Sequence, residues 1–440
     1  MRIDYLHLKN FKCYKDETFH FNAGFTLVIG KNGSGKTAIL DALTVAAGTL
    51  FLKFDNNAKT RPIAKSDIRL QPTQAGDYVT METQVPVEVE AGGQVNGGVI
   101  KWTRSVQSAK KPNTTYRHAR EMKLASEALQ IKVMKGEDVV LPLVTYFGTG
   151  RLWLKKQETS AFQSDAGSRF MGYQNCLDPA SNEKNFIRWF NAMEFTDFQR
   201  ERSGQGPSKL FAGVKATIVR SVRNCTHFYY NGKSKSICAR FKDGRDLPLE
   251  NFSDGERNMI GMVADMAYRA AILNPMFGEE AGLLTPGLVL IDEIGLHLHP
   301  EWQQTVVADL KQAFPKVQFI ATSHSPFIIQ SLNPAEDSII PLDEMQWTPR
   351  ANTSELGVEE IAEEWQGVAV PQRSRAYLEK IDAAEEYLTV LAEGEGATGK
   401  VRRELIVRLD KLMKDMERSG NDPAYQAALR LERKAAGLWE

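Results

Sequence analysis

Hydrophobic and polar positions change their period several times along the chain, and each change marks an element. "IDYLHLKNF" (residues 3–11) alternates apolar and polar side chains, the period of a half-buried strand. "FTLVIG" (25–30) reads as a buried strand. "AILDALTVAAG" (38–48) spaces its apolar residues as a helix does and stops at glycine. Residues 51–150 hold the strand-like pieces "YVTMETQVPVEVE", "GGVIKWTRSV" and "LVTYFGTGR" and are expected to form a peripheral β lobe. Residues 155–215 are expected to be a helical insertion, with "KNFIRWFNAMEF" its clearest amphipathic helix. Strand signals return at "THFYY" and "ICARF". A helix (258–273), the strand "GLVLIDE", the helix "PEWQQTVVADLKQAF" and the strand "VQFIATS" follow. That alternation predicts an α/β fold with parallel strands joined by crossover helices.

From residue 351 the chain is charged and helical. Tyr377, Ile381, Ala384, Leu388 and Leu391 recur at helical steps, and Val401, Leu405, Leu409 and Leu412 do so after the turn "EGEGATG". The spacing predicts a helical hairpin with one apolar stripe per helix. The expected division is a head over residues 1–350 and a helical partner or oligomerisation segment over 351–440.

Composition narrows the class. Lys+Arg and Asp+Glu both number 55, so the formal charge is zero and the global basic footprint of many nucleic-acid binders is missing. A local basic stretch, Lys101, Arg104, Lys110, Lys111, Arg117 and Arg120, reads either as a track for a DNA backbone or as a solvated face. No apolar run is long enough to cross a bilayer, and "MRIDYLHLKN" has no apolar leader core. Cys13, Cys176, Cys225 and Cys238 are far apart with no CxxC pair, which points to reduced thiols in a cytoplasmic protein.

The chemistry sits at strand ends. Gly30, Lys31, Asn32, Gly33, Ser34, Gly35, Lys36 and Thr37 match G-x-x-x-x-G-K-[ST] between a strand and a helix. Glycines there let backbone N–H groups converge on phosphates. Lys36 is expected on the β- and γ-phosphates of ATP and Thr37 on Mg²⁺. "LVLIDE" ends in Asp292, expected to reach the metal, and Glu293, expected to polarise the attacking water, a role worth about 10²–10⁴ in rate. "ATSHSP" places His324 as a candidate γ-phosphate sensor. "LHLHP" offers His297 and His299 but no third metal ligand. "NFSDGERNMI" puts Ser253 at a helix start with Glu256 three residues on, a capping box.

The phosphate loop, the Asp-Glu strand end and the later histidine, in this order, resemble the ABC-type ATPase head of transporters, SMC, Rad50 and RecF proteins. The resemblance implies that "FSDGE" is the signature that faces a nucleotide held by a second protomer, through Ser253, Gly255 and Glu256. Asp254 stands where that family usually has a second glycine. "LHLKNFKCY" is similar to the SMC/RecF entry motif, which implies Lys12 near the phosphates. Tyr14 or Phe11 would contact the adenine or serve the core. "YFGTGR" (146–151) is a candidate switch region or a plain turn.

No sustained heptads interrupt the head, and residues 351–440 carry no strand-end acidic cluster of a nuclease. "YFGTGRLW", "LPLENFSDGERNMIGMVADMAYR", "LIDEIGLHLHPEWQ" and "NDPAYQAALRLERKAAG" resemble the compact AAA-family ATPases of bacterial defence modules, the PtuA ATPases of Septu systems and their retron-linked relatives. That resemblance implies an ATP-joined homo-dimer or higher oligomer controlling an HNH-type (PtuB-like) nuclease subunit. The alternative is a stand-alone RecF/SMC-like ATPase on DNA.

Overall fold

The computed structural model describes residues 1–54, 59–75, 78–152, 168–179, 183–343, 352–368, 373–394, 397–418 and 423–438. They form two compact units, Met1–Gln366 and Gly367–Glu440. Each has its own hydrophobic core.

In the first unit, β1 (Arg2–Phe11), β2 (Tyr14–His20) and β3 (Phe25–Ile29) lead into helix α1 (Lys36–Ala47). A ribbon of β4 (Leu70–Ala75) and β5 (Tyr78–Thr83) precedes β6 (Val87–Val95), β7 (Gly98–Val106) and β8 (Thr115–His118). Helix α2 (Arg120–Met134), β9 (Leu143–Phe147), α3 (Glu183–Arg202) and α4 (Lys209–Ser221) come next. Then follow β10 (Cys225–Asn231), β11 (Ser236–Phe241), β12 (Asp246–Pro248), α5 (Asp254–Leu273), β13 (Gly287–Ile291), β14 (Val317–Thr322) and β15 (Asp337–Pro341).

Two five-stranded sheets carry the unit. One is antiparallel, in the order β2-β1-β6-β7-β8; the other is parallel, in the order β15-β3-β14-β13-β9. The strands β3, β9, β13 and β14 are buried at every position, which is why they read as largely apolar runs rather than as alternation. Helix α1 contacts β1, β6 and β7 of one sheet and β13 and β14 of the other. A helix between two sheets needs apolar residues all round, and Ile39, Leu40, Leu43, Val45 and Ala46 supply them.

Three features differ from the expected organisation. "LVTYF" is β9, an edge of the parallel sheet, not part of a peripheral lobe. The same stretch of chain also contains helix α2. The boundary falls after Gln366 rather than after residue 350: Ile361 is fully buried in the head core, Gln330 Nε2 donates to Leu356 O (2.8 Å) and Gln366 Nε2 to His324 O (2.7 Å).

Among its described residues the second unit has three helices, Arg375–Glu393, Gly399–Arg418 and Pro423–Ala435. Its core is Ala384, Tyr387, Val390, Ile406, Leu409, Leu412, Met413, Met416, Leu429 and Leu438. The first expected stripe is rotated: Tyr377, Ile381 and Leu388 are exposed, and Tyr387 and Val390 are buried instead. The second faces the core at Leu405, Leu409 and Leu412, with Val401 exposed. The buried face meets the third helix at Leu429, whose carbonyl accepts from the Tyr387 hydroxyl (3.4 Å).

Candidate active site

The register of the parallel sheet decides what meets at its carboxyl edge. Ile291 pairs with Phe147 and with Ala321, Ala321 with Leu27, and Ile29 with Pro341. The residues that follow these strands therefore emerge together, the usual place for a ligand in an open parallel sheet.

The loop after β3 turns into α1 at Gly35, the N-cap, at φ 102°. A Cβ at Gly35 would lie 2.5 Å from the Tyr14 hydroxyl and 2.7 Å from Cys13 Sγ, so only glycine lets the β1–β2 turn close over the loop. No side chain caps α1 and no acid stands in its first turn, so its leading N–H groups suit an anion. The Ser34 hydroxyl is buried without a partner, while Lys31, Asn32 and Gly33 form the exposed lip of the loop. The Lys31 N–H donates to Asp343 Oδ2 (2.7 Å).

Lys36 Nζ donates to Gly30 O (2.9 Å), Lys31 O (3.1 Å) and His324 Nε2 (2.6 Å). An ammonium only donates, so Nε2 is the acceptor nitrogen of this imidazole. Burial pushes the Lys36 pKa down, while the carboxylates of Glu293, Asp292 and Asp343 oppose that shift.

Thr37 Oγ1 donates to Asp292 Oδ2 (3.0 Å), and Thr322 Oγ1 donates to Asp292 Oδ1 (2.7 Å). One hydroxyl and one carboxylate at the loop make the sparse, hard-oxygen donor set that suits Mg²⁺, which keeps most of its ligands as waters and phosphate oxygens. The Glu293 N–H donates to Thr322 Oγ1 (2.8 Å), and Glu293 itself holds φ 51°, a left-handed backbone that costs a β-carbon residue about 1–3 kcal/mol. Its Oε1 lies 3.5 Å from His324 Nε2. Burial raises the Glu293 pKa above the ordinary carboxylate range; Asp292 adds to the shift, and Lys36 and Arg151 oppose it.

Behind this pair lies Arg151, the last residue of "YFGTGR" and only 5% exposed. Desolvation brings its pKa down to about 10. Sequence reasoning gave it no definite role because three of its four acceptors are main-chain carbonyls, which leave no spacing signature. Thr322 and Asn258 escaped notice for a related reason: one ends a plain apolar strand and the other sits inside a helix.

Ser253 caps α5. Its Oγ accepts from the Glu256 N–H (3.3 Å), and Glu256 Oε2 accepts from the Ser253 N–H (3.1 Å) and hydroxyl (2.9 Å). Ser253 and Asp254 are exposed, whereas Gly255 is buried. A Cβ on Gly255 would meet His297 O at 2.3 Å, so the glycine lets α5 dock on the loop after Glu293.

Lys12 (φ 50°) makes an ion pair with Asp41 on α1 and lies 3.8 Å from Asp67 Oδ1. Arg61 shares Asp41 and also donates to Thr44 Oγ1 (2.6 Å). Lys12 is thus held by carboxylates beside α1 rather than by the phosphate loop. Phe11 is core, whereas Tyr14 touches the loop. His299 Nδ1 accepts from the Glu301 N–H (3.4 Å) as a helix cap. Among the described residues no cluster of three or more His, Cys, Asp or Glu is placed to hold a metal. All four cysteines are free. Of the basic stretch, Arg104 is fully buried under Tyr116 and Lys101 pairs with Glu90 (2.8 Å), while Lys110, Lys111, Arg117 and Arg120 are exposed. No helix among the described residues is long and apolar enough to cross a membrane.

Residues 5–197 match the family model of an AAA domain, and residues 166–330 match a second AAA-domain model whose description names the AbiEii toxin of a type IV toxin–antitoxin system. The retron Vc95 probable ATPase of Vibrio cholerae serotype O1 biovar El Tor is 24% identical over 370 residues, covering 72% of this chain and 68% of that protein. The Septu protein PtuA of Bacillus thuringiensis is 25% identical over 389 residues, covering 84% of this chain and 85% of that protein. Among solved structures, the SMC head domain from Thermotoga maritima covers 76% of this chain and 93% of that one, at 16% identity and a TM-score of 0.40. The two AAA matches together include the phosphate loop, Ser253, the Asp292–Glu293 strand end and His324: the chain carries AAA ATPase domains and hydrolyses ATP.

Proposed function

We propose that the chain is the ATP-driven sensor and scaffold of a cytoplasmic bacterial anti-phage complex, pairing head to head through ATP and controlling an HNH-type nuclease subunit. One observation carries the pairing: the phosphate loop, Asp292, Glu293 and His324 converge in one network, whereas Ser253 ends α5 with its side chain exposed. An exposed, capped helix end with a hydroxyl is suited to the γ-phosphate of a nucleotide held by a second copy. The defence role is supported by likeness to a retron ATPase and a Septu protein.

In this reading Lys36 exchanges the carbonyls of Gly30 and Lys31 for phosphate oxygens. Glu293, held by Thr322 through its N–H, takes the proton of the attacking water, and His324 stands between Lys36 and Glu293 to register the γ-phosphate. Thr37 and Asp292 would hold Mg²⁺, which would supply charge neutralisation to the phosphates. The second reading, a DNA-repair ATPase, is favoured by the exposed Lys110, Lys111, Arg117 and Arg120.

The test uses mass in solution. With ATP, Glu293→Gln is expected to accumulate as a pair with at least about a 10²-fold loss of turnover. Ser253→Arg is expected to stay single while it still binds ATP. Equal masses for the two variants in light scattering would refute pairing through Ser253. Co-expression with a neighbouring nuclease gene, followed by native mass spectrometry, tests the partner.

A further inference from the structure

Glu293 stands at the mouth of a strand in a backbone conformation that a β-carbon residue resists, and something must hold it there. The Arg151 guanidinium surrounds it from behind. Nη1 donates to Gly148 O (3.0 Å) and Asp292 O (2.6 Å), and Nη2 donates to Glu293 O (2.8 Å). Nε donates to Asn258 Oδ1 (2.6 Å), and Asn258 Nδ2 donates on to Leu296 O (3.2 Å). Asn258 belongs to α5, the helix that begins at Ser253. All four acceptors are neutral oxygens, so the arrangement is a geometric clamp rather than an ion pair. Only a planar fork with donors on three nitrogens reaches four acceptors in this way; an ammonium offers one nitrogen.

We infer that Arg151 is a positioning residue for hydrolysis: it fixes the backbone of Glu293 and fastens it to α5, so that the water-polarising carboxylate and the Ser253 helix end move as one piece. The inference rests on Glu293 acting on the water. The acceptors of Arg151 are protein oxygens behind the strand end, so its removal is expected to act on turnover and not on nucleotide binding. A misplacement of about 1 Å at a reacting group costs about 10²-fold in rate.

Three proteins decide the matter, each assayed for ATP affinity by calorimetry and for kcat. Arg151→Lys is expected to keep the ATP affinity of the unaltered chain and to lose about 10- to 100-fold in kcat. Arg151→Ala is expected to lose as much and to recover part of it in millimolar guanidinium, a rescue that a merely structural loss would not show. Asn258→Ala cuts only the link to α5 and is expected to give a smaller loss, non-additive with Arg151→Lys. Unaltered kcat in Arg151→Lys, or parallel losses of affinity and turnover, would overturn the inference. If Arg151→Lys does not fold, the absence of any kcat loss in Asn258→Ala would overturn it instead. Glu293→Gln serves as the control: if it hydrolyses ATP at the normal rate, the role given to Glu293 fails, whatever Arg151 does.

Discussion

The head and the C-terminal unit are built by different means. The head core is assembled from strands far apart in sequence, with β3 between β14 and β15 and β9 beside β13. Its chemistry follows from where those strands end. The C-terminal unit is three consecutive helices around a small core in which Tyr387 and Leu409 are fully buried. Its contacts are local, and most of its charged residues are solvated. The difference teaches where substitutions act: in the head a single side chain at a strand end changes chemistry, whereas in the helical unit a single core side chain changes folding.

The sharpest way to break this comparison is through Lys36, which bears on chemistry alone. Its ammonium touches two loop carbonyls and His324, and no apolar core depends on it. Lys36→Ala is expected to lower ATP affinity by about 10²- to 10³-fold, from lost charged hydrogen bonds, with little change in Tm. Titration calorimetry beside a melting curve separates the two. Undiminished affinity would contradict the site.

Leu409→Asp puts the same question to the other unit. A buried, unpaired carboxylate costs about 3–5 kcal/mol, as much as a small single core supplies. The variant is expected to lose helical circular dichroism while it binds ATP as tightly as before. Weakened ATP binding would show that the head's folding depends on the smaller core.

The smallest effect concerns Glu293. Its pKa is raised by burial, so kcat is expected to rise with pH through a value above the ordinary carboxylate range, and that limb disappears in Glu293→Gln. The sign for stability is opposite. Because the folded pKa lies above the unfolded one, the contribution of Glu293 is present below the unfolded pKa and lost as pH rises through the folded value. At pH 7 Glu293→Gln is therefore expected to melt about 1–3 °C higher than the unaltered chain, with the gap closing in acid. No gap at pH 7 would show that the carboxylate is not desolvated.

The same contrast explains what could be read from the sequence. The largely apolar runs of β3, β13 and β14, the phosphate loop and the Asp292–Glu293 strand end declare themselves, because burial on both faces and phosphate chemistry each restrict residue type. The position of β9 did not, since a five-residue apolar run looks alike in either sheet. Arg151 is a single arginine after a glycine turn, and nothing local tells that three of its four partners lie more than a hundred residues away. In the second unit, Ala384 fits both the expected stripe and the buried face, so helical spacing alone left the rotation open. The buried face is the one that carries Tyr387 against Leu429.

The left-handed backbone at Glu293 has a consequence for how this position responds to selection. Glycine would adopt φ 51° freely, so the most stable residue there is not the one the reaction requires. Glu293→Gly is expected to be a fitter fold and a failed catalyst. Selection for thermal stability alone would drive the position away from glutamate, and selection for turnover would drive it back. The position thus records a trade-off between durability and activity, confined to a single residue.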